Sequence, residues 1–131
     1  MAKNGLYVKA LTAAEFYKAL KAGRSFATTG PSLAFTVNGE FMGDTAQIGS
    51  GLAEIKLSVS SESTTAILVK IDIIKNGVGW QTTNPYAPVY EVSLLDGSVT
   101  EDGYYRVEVT SLDTAGQYHF AWSNPVFVEV P

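Results

Sequence analysis

The chain has no cysteine. Disulfides, thiolate metal centres and cysteine nucleophiles are excluded at once. Histidine is nearly absent too, since His119 is the single one in 131 residues. A zinc centre usually draws on two or more His or Cys side chains, so none is expected. Charge is sparse, at 17% of residues, against a usual share of about a quarter. The formal net charge is −4 and no stretch gathers Lys and Arg. Neither nucleic acid nor an anionic membrane is therefore an expected partner. No apolar run approaches the ~18 residues of a membrane span. Met1-Ala2-Lys3-Asn4-Gly5 does not lead into the apolar stretch of a signal peptide. Gly49-Ser50-Gly51 lacks the Lys and the following helix that a phosphate-binding loop needs. These absences suit a soluble domain and assign no compartment.

What is present is a core. The hydrophobic share is 46%, enough for one ordinary domain. Two segments are expected, an N-terminal stretch with a helix over 1–24 and a β-domain over 25–131. The helix starts with a full set of signals. Thr12 caps the amide of Glu15, Glu15 reaches back, and Leu11 and Phe16 occupy the staple positions. Gly23 ends it. A helix of about ten residues does not persist alone in water. Its apolar side of Phe16, Ala19 and Leu20 must dock, either on this domain's own sheet or on a domain upstream.

After Gly23 the hydrophobic period changes to two. Ala53, Ile55, Leu57 and Val59 alternate with Glu54, Lys56, Ser58 and Ser60, the pattern of a half-buried strand. Ile67, Val69, Ile71 and Ile73 form one face of the next strand. Tyr105, Val107 and Val109 form one face of another, and Val126, Val128 and Val130 close the chain. Shorter strands are expected at Ser25–Thr28, Leu33–Val37 and Val89–Leu94. Asn38-Gly39, Asn76-Gly77, Asp96-Gly97, Asp102-Gly103 and Ala115-Gly116 supply the turns. The whole predicts an all-β fold, an antiparallel immunoglobulin-like β-sandwich of about seven or eight strands with one short N-terminal helix. Glu101-Asp102-Gly103-Tyr104-Tyr105-Arg106-Val107 follows the immunoglobulin pattern, with Val107 in place of its cysteine. Tyr105 is then a tyrosine corner with its hydroxyl tied back to nearby backbone.

Candidate chemistry is thin. His119 shares a face with Gln117, opposite Tyr118, Phe120 and Trp122, which assigns it to the solvent side or a sheet edge. No nucleophile–base constellation is visible, so this chain alone is not expected to be an enzyme. Asp96, Glu101, Asp102 and Asp113 fall in expected turns and offer oxygen donors for calcium, yet Asp before Gly is also what turns demand. Trp80, Tyr86 and Tyr90 lie in or near the Gly-, Thr-, Asn- and Pro-rich segment 76–88. Exposed, they would form a stacking platform for carbohydrate or a cell-surface polymer. Otherwise Trp80 packs over one end of the sandwich.

Several stretches together resemble the C-terminal region of the bacterial PHP-type metal-dependent hydrolases of the carbaryl-esterase-like group. They are Gly23-Arg24-Ser25-Phe26-Ala27-Thr28-Thr29-Gly30-Pro31, Val37-Asn38-Gly39, Gly43-Asp44, Ile73-Ile74-Lys75-Asn76-Gly77 and Ala121-Trp122-Ser123-Asn124-Pro125-Val126. The resemblance runs from about Leu11 to Val130. It implies a non-catalytic accessory domain of a phosphoesterase or related hydrolase, with the upstream catalytic domain of the same polypeptide as partner. Divalent metals are then expected in that catalytic domain and no cofactor in this chain, which has no His-x-His motif. Phe16, Leu20 and Arg24 would contribute to the interdomain face.

Overall fold

A computed structural model describes residues 3–6, 25–49 and 51–131. The helix expected over 12–22 lies outside them, as do Phe16, Leu20 and Arg24. The described strands are β1 (Lys3–Leu6), β2 (Ser25–Thr28), β3 (Ser32–Val37), β4 (Glu40–Phe41), β5 (Thr45–Gln47), β6 (Ala53–Ser60), β7 (Ile67–Lys75), β8 (Val78–Thr83), β9 (Val89–Asp96), β10 (Gly103–Leu112), β11 (Tyr118–Ser123) and β12 (Val126–Glu129). Strands exceed the expected number by β1, β4, β5 and β8, pieces that pair at the borders of the expected strands. Among the described residues no helix is long and apolar enough to cross a membrane.

The strands form an immunoglobulin-like β-sandwich. One sheet runs β4-β3-β6-β9. In the other, β10 is central, with β7 and then β8 on one side and β11 and β12 on the other. Beyond these lie β2 and β1 beside β11, and β5 beside β12. All pairs are antiparallel except β5–β12. The chain changes sheets between β4 and β5, where Gly43 takes a φ of 90° and its amide donates to the Pro125 carbonyl at 2.8 Å. Only a residue without Cβ adopts that φ freely.

Alternation decides the core as read from the sequence in β6 and β10. Ala53, Ile55, Leu57 and Val59 face Tyr105, Val107 and Val109 across the sandwich, joined by Phe35, Leu33, Met42 and Ile48. In β7 the alternation is interrupted. Its register against β10 shifts at Thr110/Ser111, so Leu68, not Ile67 or Val69, turns inward with Ile71 and Ile73. One extra residue reverses every side chain beyond it.

The last strand breaks at Asn124-Pro125. Trp122 pairs with Glu108 and Val126 with Tyr105, a step of one residue in register. At the step, the Val107 amide donates to Ser123 Oγ at 2.8 Å. The hydroxyl replaces the ladder partner that the break removes.

Candidate functional site

The inward-facing end of β11 gathers the polar side chains of greatest interest. Register sets this up. Ala121 lies opposite Val109, and His119 opposite Ser111. Directly opposed residues point to the same side of a sheet, and Val109 and Ser111 point inward. Ala121 is fully buried and His119 half-buried, while Tyr118, Phe120 and Trp122 are the exposed ones. Of the two placements expected for His119, the solvent side or a sheet edge, the solvent side is therefore corrected. Aromatic bulk on β11 suggests a core face, but pairing with β10 settles the parity.

Three loops converge on this imidazole. The turn after β2 is held by Thr28, whose Oγ1 donates to the Pro31 carbonyl at 2.5 Å and accepts from the Gly30 amide at 2.9 Å. Gly30 then sits so close that a Cβ on it would lie 2.9 Å from His119 Cβ. His119 Nδ1 lies 3.1 Å from the Thr29 carbonyl oxygen, which accepts only, so Nδ1 carries a proton. Nε2 lies 2.8 Å from Asp113 Oδ2 and 3.6 Å from Glu62 Oε2. Asp113 Oδ1 accepts from the amides of Ala115 and Gln117, each at 2.9 Å. Ser111 Oγ donates to Glu62 Oε1 at 2.5 Å. Glu62 Oε2 is shielded from solvent and has no hydrogen-bond donor.

The hydrogen bond that His119 donates to Asp113, outweighing the opposing effect of burial, raises the His119 pKa above the 6.5 of a free imidazole. The bond from His119 lowers Asp113 below its usual 3.8. A raised imidazole pKa gives stability that is complete below pH 6.5 and lost as pH rises through the folded value. In metal-free buffer the urea midpoint is thus expected to fall between about pH 6 and pH 8. His119→Gln should remove that slope. A slope that persists in the variant would assign it to another group.

The other candidate residues are scattered. Asp96 is buried beneath Lys75 and Tyr105, Asp102 accepts from the Val130 amide, and Glu101 is exposed. Asp96, Glu101, Asp102 and Asp113, weighed above as oxygen donors against a plain turn role, are not brought together. Trp80 occupies a register shift between β7 and β8, where Ile73 pairs with Gln81 and Ile74 with Gly79. The bulge turns its ring edge-on to Tyr105, at 5.8 Å and 71°. Tyr90 packs partly buried against the core and Tyr86 is exposed. Trp80, Tyr86 and Tyr90 therefore do not share an exposed platform.

Exposed aromatics occur instead on the outer face of β11 and β12. Trp122 is 42% exposed, Phe120 38%, Tyr118 61% and Phe127 45%. Phe120 and Trp122 stack at 5.8 Å with planes 16° apart. Glu62 was not singled out by sequence reasoning, because nothing in Ser61-Glu62-Ser63 marks it. The signal for the aromatic strip was present as Tyr118, Phe120 and Trp122 at alternate positions.

No family model, curated protein or solved structure matches this chain.

Proposed function

We propose that this chain is a non-catalytic accessory domain of a PHP-family metal-dependent phosphoesterase or hydrolase. It docks against the catalytic domain of the same polypeptide through the outer face of the larger sheet. The motif likeness suggests the family. The observation that carries the docking is the row Tyr118, Phe120, Trp122 and Phe127, exposed on one face. Exposed aromatic side chains grouped on one sheet face, two of them stacked, are the kind of apolar surface that marks interaction sites. β1 and β2 extend the same sheet beyond β11, with Ala27 paired to Trp122. A domain joined ahead of β1 would stand beside the strip.

The mass of the native polypeptide tests the first half of this reading. A band larger by a further domain, roughly 100–200 residues, is expected. A band at 14.0 kDa would overturn it, and a glycan-binding screen of the Trp122→Ala variant would then examine the strip as a carbohydrate surface. The second half is read from fluorescence. With Trp80→Phe leaving Trp122 as the tryptophan of this domain, acrylamide should quench it readily in the isolated chain. In the native polypeptide the same tryptophan should be shielded, and equal quenching in the two would remove the docking face.

A further inference from the structure

The geometry points to a divalent-cation site of the zinc type formed by Glu62, Asp113 and His119. One ligand atom from each lies within 4.8 Å of the others. Each ligand is oriented through its other polar atom. His119 Nδ1 is held by the Thr29 carbonyl, Glu62 Oε1 by the Ser111 hydroxyl, and Asp113 Oδ1 by two amides. The atoms left over, Nε2, Oε2 and Oδ2, converge. Outer partners that fix tautomer and carboxylate orientation are the usual support of a metal ligand.

The polar accounting also asks for a cation. A neutral imidazole that donates through Nδ1 presents the Nε2 lone pair to two carboxylates, which is repulsive. A proton on Nε2 satisfies Asp113, at 2.8 Å, and leaves Glu62 Oε2 shielded, without a hydrogen bond and with a loose ion pair at 3.6 Å. A metal ion between the three would satisfy all of them. Tetrahedral bonds of about 2.05 Å separate ligand atoms by roughly 3.3 Å. The 2.8 Å pair must therefore open, and the 3.6 Å pair close, by a few tenths of an ångström, while the two carboxylates, within 4.8 Å of each other, must close onto the ion. One imidazole and two carboxylates suit zinc and its neighbours better than magnesium or calcium, which favour all-oxygen sets. The two charges of the ion cancel those of the carboxylates. Further positions remain for water or for a group from a partner. Two carboxylates from distant loops complete the set that a lone histidine leaves short.

Zinc sulfate added to metal-free protein, prepared without a histidine tag, tests this. One equivalent should bind by calorimetry. The melting temperature should rise by about 10 °C when free zinc is 100 times the Kd. Cobalt should give visible absorption bands in the same protein. Glu62→Gln keeps the side-chain shape and the acceptor for Ser111, and should weaken zinc binding by at least about tenfold. His119→Gln should abolish the cobalt bands. Magnesium should leave the melting temperature unchanged. Absence of heat and of any shift with millimolar zinc overturns the site, as does undiminished binding in Glu62→Gln. A magnesium shift equal to that of zinc overturns the assigned class. Should His119→Gln fail to fold, the Glu62→Gln titration decides alone. The test is independent of the accessory-domain reading, since it needs only this chain.

Discussion

Asp96→Ala is expected to lower folding stability by about 3 kcal/mol, at the lower end for breaking a buried ion pair. The carboxylate is 4% exposed. Its Oδ2 accepts from Lys75 Nζ and from the Tyr105 hydroxyl, both at 2.6 Å, and Oδ1 accepts from the Ser98 amide at 2.9 Å. Alanine leaves the hydroxyl of a fully buried tyrosine without its acceptor, which costs about 1–3 kcal/mol by itself. Lys75 keeps 21% exposure and can rehydrate, which holds the total below the 5 kcal/mol or so of a sealed pair. Tyr105→Phe removes one donor and leaves Asp96 with two, so about 1–2 kcal/mol is expected. Urea denaturation of the two variants checks the order. A loss below about 1 kcal/mol for Asp96→Ala would mean that water already solvates the carboxylate.

The same group fixes an acid limit. Burial alone would raise the Asp96 pKa, but the bonds from Lys75, Tyr105 and Ser98 outweigh it and hold the value below 3.8. A lowered carboxylate pKa contributes stability above the unfolded value, lost as pH falls through the folded one. Wild-type stability should therefore drop below about pH 4 more steeply than that of Asp96→Ala. Burial, and then the Asp96 carboxylate, push the Tyr105 phenol far above its usual range. It therefore stays protonated, and a donor to Asp96, near neutral pH.

These contacts show where the sequence is legible. The pattern Gly103-x-Tyr105-x-Val107 marks Tyr105 as a buried tyrosine at the start of β10, but the corner tie to backbone is not what holds it. Its partner is not identifiable. The expected tie was to backbone, whereas the hydroxyl reaches the Asp96 side chain at the end of β9. Asp96-Gly97 reads locally as a turn, and only the fold brings Lys75 to it. Period two gave β6 correctly because it is regular against both neighbours, and β10 because the register breaks beside it fall on its partners, in β7 and between β11 and β12. It misplaced the start of β7 and the aromatics of β11 because register comes from the neighbouring strand, not from the strand itself. The triplet Glu62, Asp113 and His119 is invisible for the same reason. Its members come from the loop before β7, the loop after β10 and strand β11. Sequence spacing carries no information about loops that meet only through the sheet.

Gly103 gives the second large effect, from a cause that its sequence neighbourhood hides. Asp102-Gly103 looks like a turn that needs glycine for its backbone angles. The residue instead opens β10 opposite Val128 and is not among the glycines with positive φ. Its requirement is space. Asn76 and Gly77, with φ of 53° and 82°, join β7 to β8 as a two-residue loop of the primed kind. That conformation places the Asn76 side chain over Gly103. Its Oδ1 accepts from the Tyr104 amide at 2.8 Å, while the Asn76 amide donates to the Tyr104 carbonyl at 3.0 Å. A Cβ on residue 103 would fall 2.0 Å from that oxygen and 2.7 Å from the adjoining carbon and nitrogen. Gly103→Ala must expel the amide group and break its bond to β10, so a loss of about 2–3 kcal/mol is expected. Asn76→Gly removes the obstacle and fits the left-handed backbone without strain. Added to Gly103→Ala, it should restore about 1–2 kcal/mol, a coupling expected only of residues in contact. Additive losses in the double variant would show that the glycine answers to something other than Asn76. Recovery would show that a β-hairpin loop dictates the residue at the start of a different strand.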